Sequence, residues 1–448
     1  MSFDRRNVLK RGVVGVAGVA VASHHARAAS AKSYGRIMGS NERIHVAVQG
    51  LGGRGRSFAG SIGNPANNAE LLYLCDVADS RLEKAARVFA EKGCSTPVME
   101  KDVRNILADE RVDAVIMATP DHWHAPGACM AMAVGKHVYV EKPCSHNMHE
   151  NELIVQFRDH YKCVVQMGNQ QRSSLETQEI IRALHEGLIG EIYKVTTFYV
   201  NKRGSVPRQQ AKAVPAGLDW NLFQGPAPRK EYVGGVENYI WHWYGWDYGT
   251  AEMGNNATHE LDIARWALAV DLPEEVSVRS GKHQYIEDGW EMYDSMEARF
   301  EFEGGKVIEW DGQSRNGYPK YGRGRGTIIY GASGSVFVDR NGYQVFGLGG
   351  KLVRDSKSKD KEEGMGVTAG GGMSERHVRN FFAAIRGEEA LASPIEQGAV
   401  SQAMTHYANI AARTGKNFGV DSRTGRIFDR DAMQLWSREY EPGWEPKI

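Results

Sequence analysis

The sequence predicts an α/β N-terminal domain around a parallel sheet, followed by an α+β C-terminal domain with an open, largely antiparallel sheet. Two observations carry this. Between Ile44 and Met167, five short apolar runs alternate with helical patterns, as buried parallel strands do when crossover helices join them. From Glu191 onward the strand-like stretches mix apolar and polar residues, as strands do when one face of their sheet meets water.

The five runs are Ile44–Val48, Leu71–Cys75, Ala114–Ala118, Val138–Val140 and Val164–Met167, with helical patterns such as Ser80–Lys92 and Ala125–Val134 between them. In the second part, strands are expected at Lys194–Val200, Glu275–Arg279, Ser295–Phe302, Thr327–Tyr330 and Ser335–Val338. Glycine-rich breaks follow from Gly304 to Gly372, with a loop at Gly370-Gly371-Gly372, then helices at Ser374–Arg386 and Ile395–Thr414. The expected division is a leader at 1–29, a polar arm at 30–43, the first domain at 44–168, a second domain with returning helices at 169–414, and a tail at 415–448.

At 448 residues the chain can hold two or three full cores. Its formal net charge is zero, so no basic excess exists to neutralise phosphates, and nucleic acid is not an expected partner. No apolar run of about 18 residues lies beyond the N-terminus, so no membrane span is expected in the mature chain. The five cysteines, Cys75, Cys94, Cys129, Cys144 and Cys163, show neither zinc spacing nor a disulfide framework and read as scattered thiols; no metal site is expected.

The first residues read as an address. M-S-F-D-R-R-N-V-L-K-R precedes an apolar stretch at Gly12–Ala22 and the A-x-A site Ala26-Arg27-Ala28, the order of a cleaved signal peptide. The Arg5-Arg6 pair resembles a twin-arginine signal. The expectation is export to the periplasm by that machinery, with cleavage near Ala28.

The chemistry begins at Gly50-Leu51-Gly52-Gly53-Arg54-Gly55. This G-x-G-x-x-G follows a strand and opens a helix, the context of a Rossmann dinucleotide site. The first glycine makes the tight turn, the second admits a pyrophosphate, and the third lets helix and strand approach. Asp76 ends the second strand, where it can accept hydrogen bonds from ribose hydroxyls or serve as a turn residue. A 2′-phosphate would be repelled there, so NAD is favoured over NADP.

Thr119-Pro120-Asp121-His122-Trp123-His124 follows the third strand. Ligands of open parallel sheets bind at strand carboxyl ends, so Thr119, Pro120, Asp121, Trp123 and His124 are expected in a loop lining the cofactor. Glu141-Lys142-Pro143 follows the fourth strand at the same edge. Lys142 can hold a substrate hydroxyl and stabilise alkoxide charge, and Pro143 is a candidate for a cis bond. Tyr239–Tyr248 packs six aromatics into ten residues; such rings either stack on sugar faces or fill a core. Arg172 and Arg203 are further polar candidates.

G-L-G-G-R-G at 50–55, A-T-P-D-H-W-H at 118–124, Y-V-E-K-P at 139–143 and H-E-L-D at 259–262 together resemble the Gfo/Idh/MocA oxidoreductases, such as glucose–fructose oxidoreductase and inositol dehydrogenase. The resemblance implies a sugar or polyol held between the two domains. It implies a catalytic Lys142, a catalytic His259 on a helix facing the nicotinamide, and a cofactor contact from Asn169 after the last Rossmann strand. Arg172, Trp241, Asn255, Lys142 and His259 are the expected substrate contacts, and Glu141 joins the cofactor set. His259 and Asp262 lie three residues apart and can share one helix face. Many members carry Asp four residues before the histidine, where this chain has Asn255; an amide cannot relay a proton.

The expected function is an exported oxidoreductase acting on a hydroxyl of a sugar, polyol or glycoside. Its NAD is expected to be held through many turnovers, with the 30–43 arm helping as a similar arm does in glucose–fructose oxidoreductase. The alternative is an NAD-dependent glycosidase that oxidises, eliminates, hydrates and re-reduces. A third reading, a non-catalytic sugar sensor, is opposed by the retained Lys142 and His259. The expected partners are a small carbohydrate, the export machinery and further copies of the chain.

Overall fold

The computed structural model describes residues 43–357 and 372–448. The expected leader, its cleavage site, nearly all of the arm, and Gly370 and Gly371 lie outside the described residues.

The first sheet holds β1 (Ile44–Gln49), β2 (Ala69–Cys75), β3 (Val98–Glu100), β4 (Ala114–Met117), β5 (His137–Val140) and β6 (Val165–Met167). All are parallel, in the order β3-β2-β1-β4-β5-β6. Strands β4, β5 and β6 are buried along their whole length, which is why they read as unbroken apolar runs. One face packs Val46, Val48 and Ile116 against Phe58, Phe89, Phe381 and Phe382. The other packs Ala47, Val115 and Met117 against Met132, Ile154 and Phe157. Strand β3 escapes sequence reading because it is a three-residue edge whose Val98 and Met99 are more than half exposed. Strand order reverses between β1 and β4, and the crevice at such a reversal is where ligands of this fold class bind.

The helix expected at 125–134 starts earlier, at Asp121–Ala133. Pro120, with φ −59°, immediately precedes it, and Asp121 is the acid of its first turn, which is favourable at a helix start. The expected 119–124 loop is therefore mostly helix, and His122, Trp123 and His124 are buried in it rather than facing water.

The second sheet contains β7 (Ile192–Val200), β8 (Glu275–Gly281), β9 (Ser295–Phe302), β10 (Lys306–Gln313), β11 (Arg325–Gly331), β12 (Gly334–Asp339), β13 (Gly342–Gly347), β14 (Leu352–Lys357) and β15 (Phe418–Gly419). Their order is β14-β13-β12-β11-β7-β10-β9-β8-β15, antiparallel except for β7 beside β10. Helices Thr258–Leu268 and Ile395–Thr414 cover one face through Leu261, Ala264, Ala403 and Tyr407. The other face carries a charge ladder, with Arg299 on Glu301 and Glu309 and Lys194 on Glu309. These partly exposed pairs add little stability, but they explain the polar alternation of β9 and β10.

The expected division of the chain needs two corrections. Helix Gly372–Ile385 sends Val378, Phe381, Phe382 and Ile385 into the first sheet's core, so this returning helix belongs to the first domain's layers. Residues 415–448 are more than a tail: β15 extends the second sheet and Trp444 meets Trp123 edge-on. A long excursion at 201–257 also returns to the first domain. Asp219 N–H donates to the Val77 carbonyl at 2.8 Å, Asp79 N–H to Gly217 at 3.1 Å, and Trp123 Nε1 to Phe223 at 3.0 Å. This excursion roofs the crevice. Among the described residues no helix is long and apolar enough to cross a membrane.

Candidate active site

A cavity of about 840 Å³ opens at the carboxyl ends of β1, β2, β4 and β5, between the two sheets and beneath the 201–257 excursion. Gly50, Gly52, Gly53 and Arg54 form one wall. Gly50 has φ +82°, and a Cβ there would lie 2.5 Å from the Ala118 carbonyl carbon. Only glycine tolerates both demands. Gly55 stands behind the wall; its Cβ would sit 1.8 Å from the Gly50 oxygen, so it serves the approach of helix to strand. A Cβ on Gly52 would meet nothing within 4 Å, which leaves bare backbone facing the space where a pyrophosphate belongs.

Asp76 lines the same end of the cavity. Leu51 N–H donates to its Oδ2 at 2.7 Å and Ala78 N–H to its Oδ1 at 3.1 Å. Burial pushes its carboxyl above the usual range, against the pull of Arg81, the two N–H donors and Arg56. Thr119, Pro120, Asp121, Trp123 and His124 are all on the wall. His124 Nδ1 lies 2.6 Å from the Pro143 oxygen, which makes Nδ1 the donor and turns Nε2 into an acceptor. That Nε2 and Thr119 Oγ1 are buried without partners among the described residues, as groups are when a ligand completes them. Burial lowers the His124 pKa to about 4, so its ring is neutral. The bare glycine backbone, the placed acid and the unpaired polar atoms fit a dinucleotide.

Two residues of the expected cofactor set are arranged differently. Glu141 lines the wall but is engaged by Arg54 Nε at 2.6 Å and Gln170 Nε2 at 2.9 Å. Asn169 does not reach the cavity; the 3₁₀ turn Gln170–Ser173 presents Gln170 and Gln171 instead, and Asn169 Nδ2 packs on the Met167 sulfur.

At the other end, Lys142, His259, Trp241 and Asn255 converge on the cavity. The Lys142–Pro143 bond is cis. Lys142 Nζ donates to the Asn255 carbonyl oxygen at 2.6 Å and approaches Asn255 Oδ1 at 3.4 Å. Asn255 sits in a π-helical turn, Met253–Ala257, immediately before helix Thr258–Leu268. Such turns are frequent at functional sites because they widen a helix and re-aim its groups. Burial lowers the Lys142 pKa, opposed by the charges of Asp121, Glu141 and Glu252. Burial, with Arg340, Lys142, Arg325 and Arg54, holds His259 far below the usual imidazole range and therefore neutral.

Asp262 and Arg172 are withdrawn from the site. Arg172 Nε and Nη2 donate to the two Asp262 oxygens at 2.7 and 2.8 Å, and Ser401 adds a third bond at 2.6 Å. The pair is buried and ion-paired, and neither residue lines the cavity. Arg203 does line the cavity, held by Glu252 at 3.0 and 3.2 Å and lying over the Trp243 ring. The aromatic cluster divides: Tyr239, Trp241 and His242 face the cavity, whereas Trp243 stacks on Trp290 in the core. Tyr199, Asn201, Arg325 and Arg340 complete the wall. No local pattern marks them, because they stand at the end of β7, just beyond it, at the start of β11 and in the β12–β13 turn.

A dinucleotide cradle opening on a buried lysine and a neutral histidine has the parts that a nicotinamide-dependent oxidoreductase needs. Residues 44–169 match the family described as "Oxidoreductase family, NAD-binding Rossmann fold", and residues 175–341 match its companion "Oxidoreductase family, C-terminal alpha/beta domain". The chain belongs to this Gfo/Idh/MocA oxidoreductase family, and its cofactor is NAD. It is 30% identical over 204 residues to a glycosyl hydrolase family 109 protein of Saccharopolyspora erythraea, covering 42% of this chain and 44% of that one. It is 27% identical over 213 residues to a family 109 protein of Shewanella sp. (strain ANA-3), covering 45% and 46%. The chain thus spans about half the length of the curated relatives it matches. Among solved structures, levoglucosan dehydrogenase with NADH and levoglucosan superposes with a TM-score of 0.64 at 19% identity, covering 85% of this chain and all of that one. The WlbA dehydrogenase of Bordetella pertussis, with NADH and UDP-GlcNAcA, gives 0.62 at 19% identity over 84% and 98%. At these identities the likeness shows the fold.

Proposed function

We propose that the protein oxidises a hydroxyl of a sugar, polyol or glycoside with a tightly held, recycled NAD, and that it does so in the periplasm after twin-arginine export. The observation that carries the chemistry is the meeting of Lys142 and His259 in the cavity walled by Gly50, Gly52, Gly53 and Asp76. Bound NAD would supply a hydride acceptor able to give the hydride back. His259, neutral and lined up on the cavity, takes the hydroxyl proton, and the cations around it favour its prompt release. Lys142, held on the Asn255 carbonyl, donates to the oxygen as it gains alkoxide character. Trp241, stacked on His242 at 3.6 Å, offers a rigid apolar face for a sugar ring.

The family 109 relatives favour a second reading, glycoside cleavage. There the new carbonyl acidifies the neighbouring C–H, a base removes that proton, and the glycosidic oxygen leaves as a protonated alcohol. Water then adds to the double bond and the carbonyl is reduced again, so the net reaction is hydrolysis.

Recycling is supported by the address and by the roof. Arg5-Arg6 precedes an apolar stretch and an A-x-A site, and the twin-arginine route carries folded proteins. Free NAD is scarce outside the cytoplasm, and the 201–257 excursion fastens over the cofactor end through Val77, Asp79 and Trp123. Retention through export needs roughly nanomolar binding, about −12 kcal/mol. The test is to purify the mature protein from the periplasm without added cofactor, measure bound NAD(H) by mass spectrometry, and screen sugars and glycosides. Activity that appears only with millimolar NAD and releases stoichiometric NADH would return the protein to a plain dehydrogenase. Release of free sugar from a glycoside without net NADH would select the hydrolytic reading.

A further inference from the structure

Two arginines on the second-domain wall of the cavity use the same edge of the guanidinium for a buried partner. Arg203 gives Nε and Nη2 to the two Glu252 oxygens at 3.0 and 3.2 Å. Arg325 gives Nε and Nη2 to the two Glu260 oxygens at 2.7 and 2.9 Å. Both glutamates are buried and stand behind the wall, whereas both arginines line it. A guanidinium carries five N–H donors in a planar fork, so a pair made through the Nε–Nη2 edge leaves the Nη1 side to offer. Among the described residues Arg203 Nη1 makes no hydrogen bond and is not buried. Arg325 Nη1 has only Asn256 Oδ1, at 3.5 Å. A buried pair that merely braces a fold has its remaining donors satisfied within the protein; these two line a cavity with one side open.

The two forks meet at one ring. Arg325 and Tyr199 are paired across β11 and β7, and Arg325 lies over the Tyr199 ring, 5.3 Å from its centroid. Arg203 Nη2 approaches the Tyr199 hydroxyl at 3.5 Å, and its guanidinium lies over the Trp243 ring at 4.8 Å. The same network reaches the reacting end of the cavity. Asn255 Nδ2, at 3.2 Å, and Asn256 Nδ2 both donate to Glu252, and the Asn255 carbonyl holds Lys142. The wall carboxylates are Asp76, Asp121, Glu141 and Glu237. None of them bonds to either arginine among the described residues.

We propose that the substrate is a sugar acid whose carboxylate is taken by Arg203 and Arg325, an assignment that rests on the proposed oxidation of a sugar hydroxyl and names its substrate class. A carboxylate matches the planar fork, and a guanidinium already fixed by a glutamate and an aromatic ring loses little freedom on binding it. Arg203 and Arg325 are then specificity-determining residues. They hold the acid group while Lys142 and His259 attend to the hydroxyl.

The NAD-loaded protein is titrated calorimetrically with methyl glucuronide and methyl galacturonide, with methyl glucoside and methyl galactoside, and with the 6-sulfates of the neutral pair. Each acid should bind at least about 10-fold tighter than its neutral counterpart, the order of one hydrogen bond to a charged group. Arg325→Gln with Glu260→Gln, which removes the cation together with the charge it balances, should bring that ratio to within about threefold of unity. Arg203→Lys keeps the charge without the fork and should lower the ratio by a smaller factor. A purely structural role would weaken acid and neutral sugar alike and leave the ratio unmoved. If the double variant does not fold, Arg325→Lys is read instead. Equal affinity for acids and neutral sugars, no binding of either acid, tighter binding of the 6-sulfates, or a ratio that neither arginine variant moves overturns the proposal. NADH absorbance is followed in parallel. Oxidation of a neutral sugar with the acids ignored would sink the sugar acid and keep the reaction; acids bound selectively without hydride exchange would keep the site and sink the reaction.

Discussion

Cofactor choice depends on a single carboxylate set among cations. Asp76 spends one lone pair on Leu51 N–H and one on Ala78 N–H, and a carboxylate has about four. The remaining capacity faces the cavity, where the adenosine ribose of a Rossmann site lies. Arg56, Arg81, Lys84 and Lys101 line the same region, so Asp76 opposes a 2′-phosphate where the wall is otherwise rich in cations. Replacing it by Ser removes a charge-assisted hydrogen bond of about 1.5–3 kcal/mol, which is roughly 10- to 100-fold in NADH affinity. It also exposes the four cations to the phosphate of NADPH. The ratio of NADPH to NADH dissociation constants should therefore fall by about 100-fold or more, which takes about 2.7 kcal/mol. Fluorescence titration of both dinucleotides against wild type and Asp76→Ser measures the ratio, with circular dichroism confirming the fold. Tighter NADPH binding by the wild-type protein, or a ratio that moves less than about threefold, refutes the argument.

Lys142→Met and His259→Ala should each lower turnover by about 10² or more with the fold intact; near-normal turnover of either on the screened substrate removes its assigned role. Arg172→Ala strands the buried Asp262 carboxylate and should cost about 3–5 kcal/mol of stability in urea unfolding, whereas unchanged stability with a raised KM would restore Arg172 to the substrate. Burial lowers His122 and His406 to about 3 and His377 to about 4. Unfolded histidine titrates near 6.5, so between about pH 3 and 6.5 the unfolded chain binds more protons and stability rises with pH. Full stability is expected above about pH 6.5, with cooperative acid unfolding below it; a stability that stays flat from pH 7 to about 4 in urea titrations contradicts this.

The sequence by itself determined the first domain and the ends of its strands. Five of six strands and the glycine turn were legible because a parallel sheet buried on both faces leaves continuous apolar runs, and a φ of +82° at Gly50 demands glycine. Asp76, Lys142 and the 119–124 segment were legible for the same reason: they follow strand ends, where this topology collects its ligands. What the sequence could not decide was which side chains remain free once the chain folds. Arg172, Asp262 and Glu141 have the residue types of a site, but burial pairs Arg172 with Asp262 and Glu141 with Arg54, since an unpaired buried charge is costly. Tyr199, Arg325 and Arg340 reach the cavity only because the nine-stranded sheet brings the end of β7, the start of β11 and the β12–β13 turn to one edge. Asp121 shows the division most clearly. The motif placed it near the cofactor, but its hold on Thr250 is a contact between residues 129 positions apart, which only the packing of the second domain on the first creates.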